Sequence, residues 1–213
     1  MIKKVFFALT AMAMAAGAQA TLITQSSPLI LETTEINQSF NFNFFDSSLG
    51  TLNSVVIALI GQAVSSASLT NTAAQPQDFA FDSKIRLRLS GTGLSNSDLN
   101  LTLFNFEDEL ASNVLKNLGT ATINGAQTFT GTVASFIGLG EGSFTCKSQV
   151  QNAQSGGGGN INVTQQTQAG CGVTVTYDYT ATPPTNVPEP SSLALMGLAL
   201  TGAGVVGRRR RKG

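Results

Sequence analysis

Residues 84–89 read Lys84-Ile85-Arg86-Leu87-Arg88-Leu89, a cation alternating with an aliphatic residue three times over. A period of two places Ile85, Leu87 and Leu89 on one face of an extended strand and Lys84, Arg86 and Arg88 on the other. The same alternation recurs in Ser39-Phe40-Asn41-Phe42-Asn43-Phe44, in Asn100 to Phe106, and in Val173-Thr174-Val175-Thr176-Tyr177-Asp178-Tyr179. Each is the pattern of a strand with one face buried, and such faces need a second sheet to cover them. The expected fold is therefore all-β, an antiparallel β-sandwich, with a closed barrel as the alternative.

Turn chemistry punctuates these strands. Asp46-Ser47-Ser48-Leu49-Gly50 follows the first aromatic strand, and Ser90-Gly91-Thr92-Gly93 follows the basic one. Asn124-Gly125 reads as a hairpin turn between Ala121-Thr122-Ile123 and Thr128-Phe129-Thr130. Glu107 to Leu118 is the one stretch of helical character, because Leu110, Val114 and Leu118 recur every four residues after an acidic start. A short helix or a crossover loop fits there.

Both ends of the chain differ from this body. Lys3 and Lys4 precede an apolar run, and Ala18-Gln19-Ala20 offers the small residues of a signal-peptide cleavage site. Residues 1–20 are read as a signal peptide, placing signal peptidase and the Sec machinery among the partners, and the mature chain as starting at Thr21. The other end runs from a Pro-rich linker at 182–190 into an uncharged stretch at 191–207 and a basic tail at 208–213. The uncharged stretch is a little shorter than the roughly 20 apolar residues of a full span. Snorkelling or local thinning lets it cross as a transmembrane helix. Arg208, Arg209, Arg210, Arg211 and Lys212 then act as a stop-transfer held on the cytoplasmic side. Between the ends lies one β-sandwich domain, 21–181.

The charge balance follows from this division. The chain has 12 basic and 12 acidic residues, yet seven of the basic ones lie in the two end segments. Residues 21–187 hold five basic and eleven acidic residues, so the body is acidic and nucleic acid is not an expected partner. The two cysteines, Cys146 and Cys171, reach an oxidising compartment on export and are expected to form a disulfide. That bridge would close a ring holding Gly156 to Gly159, read as a flexible surface loop because no P-loop Lys-Ser/Thr follows it.

The chain contains no histidine and no tryptophan. A Ser-His-Asp triad, a Cys-His dyad and any His-ligated metal site are excluded, and no cofactor is expected. Glu107, Asp108 and Glu109 form the densest carboxylate cluster, which is either a solvated turn or a weak Ca²⁺ candidate. The row Lys84, Arg86 and Arg88 is read as the solvent face of an edge strand, with contact to an anionic polymer as the alternative.

Val187-Pro188-Glu189-Pro190, the uncharged run Ser191 to Gly207 and the basic cluster Arg208 to Lys212 together resemble the PEP-CTERM sorting signal of Gram-negative, exopolysaccharide-producing bacteria. That resemblance implies a membrane-embedded exosortase that recognises the Pro-Glu-Pro region, a transient inner-membrane anchor, and delivery to the cell surface or extracellular matrix. The body, through Phe45 to Val55, Leu69-Thr70-Asn71-Thr72 and the closing strand Val173 to Tyr179, resembles the choice-of-anchor E surface domain, a group without assigned catalytic residues. The expected function is a non-enzymatic exported protein with a structural or adhesive role. The alternatives are a carbohydrate- or Ca²⁺-binding module contacting exopolysaccharide and a membrane-anchored hydrolase using paired carboxylates.

Overall fold

The computed structural model describes residues 20–182. The signal segment with Ala18, the sorting motif Val187 to Pro190, the expected transmembrane helix and the basic tail lie outside the described residues.

Among the described residues nine strands run in chain order: β1 (Ala20–Ser27), β2 (Glu32–Thr33), β3 (Asn37–Asn43), β4 (Gly50–Asn71), β5 (Gln77–Gly91), β6 (Leu94–Leu110), β7 (Leu115–Thr130), β8 (Glu141–Gly156) and β9 (Ile161–Ala181). One sheet has the order β1-β9-β4-β7, with β2 added on β9, and the other has the order β3-β8-β5-β6. Every strand pairing in these sheets is antiparallel. Only β5 and β6 are joined as neighbours within a sheet, through Thr92-Gly93; most other connections cross from one sheet to the other. With the two-residue β2 set aside, eight strands in two four-stranded sheets of this order form a jelly roll. The sandwich expectation holds, in this specific form.

The alternation read from the sequence fixes what lies between the sheets. Ile85, Leu87 and Leu89 are fully buried, as are Leu59 and Leu69 on β4. At one end Phe42 stacks on Phe144 at 4.7 Å between ring centroids, and Phe136 meets Tyr177 edge-on at 6.2 Å. Burial of each such side chain is worth about 1.5–3 kcal/mol. Cys146 on β8 and Cys171 on β9 are fully buried and joined by a disulfide, so the bond ties one sheet to the other through the core.

Four local expectations are corrected. Glu107 to Leu118 holds no helix: β6 continues to Leu110 and β7 begins at Leu115. Pairing decides this, since Phe106 lies opposite Phe81 and Glu109 opposite Asp78, and the β5 ladder carries the strand onward. The spacing of Leu110, Val114 and Leu118 is not a buried stripe, because Leu110 is 3% exposed and Val114 53%.

Asn124-Gly125 is not a hairpin turn. It lies within β7, with Asn124 opposite Gln62 and Gly125 opposite Gly61 of β4. The two glycines make room for the facing sheet. A Cβ at Gly61 would come within 2.3 Å of Leu87 Cδ1, and one at Gly125 within 2.6 Å of Leu101 Cδ2.

The basic strand β5 is not an edge strand but is flanked by β8 and β6. Lastly, Gly156 to Gly159 form a set turn between sheets. All four have positive φ, from 55° to 83°, a region that glycine enters without a Cβ penalty. Asn160 N donates to Gly157 O at 2.9 Å, and Thr72 N donates to Asn160 O at 2.8 Å.

Candidate functional site

Because β5 alternates without interruption, its even-numbered residues face solvent from Asp78 to Ser90. Its neighbours add to that face in register. Lys147 and Gln149 of β8 sit beside Arg88 and Arg86, and Asp98 of β6 lies on the other side of Arg88. The result is a shallow hollow of about 480 Å³ lined by Glu35, Arg86, Arg88, Lys147, Ser148, Gln149 and Val150.

Arg88 grips Asp98 with two parallel bonds, Nε to Oδ1 at 2.6 Å and Nη2 to Oδ2 at 2.8 Å. This fork matches guanidinium to carboxylate geometry. The bonds to Arg88 hold the Asp98 carboxyl below its usual range and push the Arg88 guanidinium up. Arg86 donates to Gln149 Oε1 and stands 4.0 Å from Asp98 Oδ2. Glu35 is engaged as well, its Oε1 accepting from Val150 N at 2.8 Å. Lys147 has no ion-pair partner among the described residues. The hollow thus keeps cationic capacity after its internal pairs are made.

Farther along the same face lies an acidic hollow of about 470 Å³, lined by Asp78, Glu107, Asp108, Glu109 and their strand neighbours. Asp78 lies opposite Glu109, and Glu107 lies opposite Ala80. The pleat sets Asp108 to the other side of β6 from Glu107 and Glu109. Among the described residues no group of three or more acidic or cysteine side chains could hold a metal ion, so the Ca²⁺ candidate gains no support.

A third hollow, of about 680 Å³, opens on the outer side of the other sheet. Thr33, Thr34, Val64, Ser66, Thr120 and Gln165 to Gln168 line it, without a charge among them. Beneath it Gln165 reaches between the sheets and donates from Nε2 to Ser83 Oγ at 2.9 Å and Ser65 Oγ at 3.0 Å. Both serines are buried. Nothing in the sequence reading singled out this polar seam. The signal was there in Ala63, Ser65 and Ala67, small residues at inward positions of β4 where larger apolar ones would otherwise be expected.

Of the residues singled out from sequence, Cys146 and Cys171 are brought together, and the row Lys84, Arg86 and Arg88 acquires Lys147 as a neighbour. Lys84 itself is paired with Asp82 at 2.8 Å. Ala20 begins β1 opposite Thr180 near the end of β9, so the chain enters and leaves the sandwich at the same end.

Residues 186–211 match the PEP-CTERM protein-sorting motif. The chain carries the signal of an exported protein that is sorted by exosortase and transiently anchored in the membrane before processing. No curated protein matches the chain. Among solved structures it is similar to infectious bursal disease virus, Gx strain, at 10% identity and a TM-score of 0.19, over 88% of this chain and 49% of the viral one. It is also similar to dimeric latent PorU from Porphyromonas gingivalis, at 9% identity and a TM-score of 0.21, over 82% of this chain and 15% of PorU. The chain thus spans about half the length of the viral chain and a small part of PorU. Likenesses this distant carry no inference about its work.

Proposed function

We propose that the protein is a non-enzymatic component of the cell surface or extracellular matrix of a Gram-negative bacterium, with a structural or adhesive role. The sorting motif at 186–211 carries this reading. Signal peptidase acts after Ala20, the inner membrane holds the precursor by residues 191–207, and exosortase acts near Pro188-Glu189-Pro190. The sandwich gives the mature protein a durable body, cross-tied by the Cys146–Cys171 disulfide. Chain entry and exit at one end, Ala20 opposite Thr180, suits a body held by a single stalk. The resemblance to choice-of-anchor E domains belongs to the same reading, because it implies a location and no catalytic residues. Binding, not catalysis, is the work that both outer faces are suited to.

Deleting Pro188 to Pro190 in the full chain tests the sorting step. Cell fractionation and mass analysis of the C-terminus should show unprocessed precursor in the inner membrane. Normal processing and release of that deletion would remove the sorting claim.

A second reading, a carbohydrate-binding module, is favoured by the uncharged hollow on the β1-β9-β4-β7 sheet. Hydroxyl and amide groups of Thr33, Thr34, Ser66, Thr120, Gln166 and Gln168 line it, and these can exchange hydrogen bonds with sugar hydroxyls. Titration calorimetry with the host's extracellular polysaccharide decides it, and no heat at any concentration would dismiss it.

A further inference from the structure

We propose that the cationic hollow on the β3-β8-β5-β6 sheet meets the acidic patch of a second copy of this chain, so that two copies pair face to face and antiparallel. The inference rests on the structural reading above and names the partner for that role.

Both halves of the contact are on the same face. Arg86, Arg88 and Lys147 line one hollow beside the single carboxylate of Glu35, and Asp78, Glu107 and Glu109 present the acidic patch, with Asp108 on the other side of β6. Asp78 and Arg86 are eight residues apart on β5, roughly 26 Å along a strand. That is several Debye lengths at physiological salt, so the two clusters do not neutralise each other within one molecule.

A strand ladder also fixes their separation, and the acidic patch cannot fold back onto its own hollow. Other charges near each cluster are engaged. Asp98 is held by Arg88, Asp82 by Lys84, Glu35 accepts from Val150 N, and Lys116 stands over the Phe106 ring at 5.8 Å. What stays open is Lys147 and the charge of Arg86, whose bond is to the neutral Gln149, at one place and the carboxylates of Asp78, Glu107 and Glu109 at the other.

Opposite charges displaced along one face satisfy each other across a two-fold axis that lies in the interface and runs the two faces antiparallel. Each copy's cationic hollow then meets the other copy's acidic patch. Such a contact is isologous, using the same face on both copies, and it closes at a dimer. A partner with a complementary patch already built into the same chain needs no other gene product. Electrostatic attraction of this kind sets register and excludes alternatives in which like charges meet.

Sedimentation velocity tests the proposal on protein purified from cells expressing the full chain, with detergent where the tail is retained. At ~0.01 M salt, where the Debye length is about 30 Å, species larger than the monomer should grow with concentration. At ~1 M salt, where it is about 3 Å, they should dissociate. Arg86→Glu with Lys147→Glu should weaken association by more than about tenfold, and Glu107→Lys with Glu109→Lys should do the same. Arg88 is left intact so that its bond to Asp98 continues to support the sheet, and circular dichroism checks that each variant is folded.

The decisive arm is the mixture. The two variants, each monomeric alone, should associate when combined only if one variant's intact patch can meet the other's, as the wild-type pairing requires. Each keeps one native patch, and the two reversed patches are again opposite in charge, so the mixture should form a heterodimer held at both contacts. A wild type that stays monomeric at every salt concentration overturns the proposal. So does a mixture that stays monomeric, which would assign the hollow to some other anion. The sorting experiment above reads C-terminal processing, so either claim can fail without the other.

Discussion

The outer faces of the two sheets are built on the same backbone rules and present opposite chemistry. Across the β1-β9-β4-β7 sheet, rows such as Thr24, Thr176, Val56 and Thr130, or Ser26, Thr174, Ala58 and Thr128, lie side by side in register. Hydroxyls and amides bond to each other there, Ser26 to Thr174 at 3.0 Å and Gln62 Nε2 to Asn124 Oδ1 at 2.8 Å. Across the β3-β8-β5-β6 sheet, the corresponding positions hold Arg86, Arg88, Lys147 and Asp98, then Asp78, Glu107 and Glu109. The inner faces are mostly apolar, as one core requires, with the Gln165–Ser65–Ser83 seam between them, so they carry little information about function. The outer faces are unconstrained by packing, and the proposed binding role rests on the divergence between them.

The strongest way to break the comparison is to untie the two sheets. Replacing both cysteines, Cys146→Ala with Cys171→Ala, should cost about 3 kcal/mol, because a ring of this length loses its restraint on the unfolded chain. A loss of that size lowers the melting temperature by roughly 10 °C. Thermal unfolding followed by circular dichroism measures it. A shift of a degree or two would mean that the core alone holds the sheets together.

Next comes the gap between them. Gly61→Val pushes a branched side chain toward Leu87 and Leu99, and Gly125→Val does so toward Leu101 and Leu99. Overpacking of this kind typically costs about 1–3 kcal/mol. Urea denaturation should show it at either position. These glycines also show where sequence legibility stopped. Asn-Gly is strong hairpin chemistry when only local propensity speaks, but Gly125 is needed for the approach of a leucine from the other sheet, a contact that no local pattern contains. The helix reading at 107–118 failed for the same reason. A four-residue spacing can be counted from sequence, whereas the β5 ladder that holds Phe106 opposite Phe81 cannot.

What local patterning did reveal was the alternation itself. Ile85, Leu87 and Leu89 point inward and Arg86 and Arg88 outward as the period of two requires. The disulfide was legible because only two cysteines exist. The hollow was half legible: the row on β5 was visible, but Lys147 lies on β8, 59 residues beyond Arg88, and only the register brings the two side by side. Sheet order, and with it the central place of β5, required the fold.

A smaller effect distinguishes the aromatic end of the core. Burial pushes the Tyr177 phenol up to about 12, while its hydroxyl donates to Asn43 O at 2.8 Å. A folded-state value above the ordinary one near 10 means the neutral form is favoured by folding. That stability is complete below about pH 10 and is lost as pH rises toward 12. Absorbance titration should show one of the two tyrosines ionising late and together with unfolding. Tyr177→Phe should cost about 1 kcal/mol at neutral pH, by removing one of two donors to the Asn43 carbonyl, which keeps its bond from Gln25 Nε2. It should also flatten the alkaline limb of the stability curve.

The smallest expected effects return to the two faces and separate them by their response to salt and acid. Gln62→Ala removes a neutral bond to Asn124 on one sheet, and Asp98→Asn removes the fork to Arg88 on the other. Exposed pairs of either kind are worth about 0–1 kcal/mol, so the sizes alone will not distinguish them. Their dependence will. The Gln62 effect should be the same at low and high salt, because no net charge is involved. The Asp98 effect should shrink as salt screens it. It should also vanish in acid: the folded Asp98 value is depressed, so its contribution is present above the ordinary carboxylate range and is lost as pH falls through the folded value. If both substitutions responded to salt alike, the contrast between a neutral face and a charged face would have no energetic content, and the proposed contact between copies would lose its foundation.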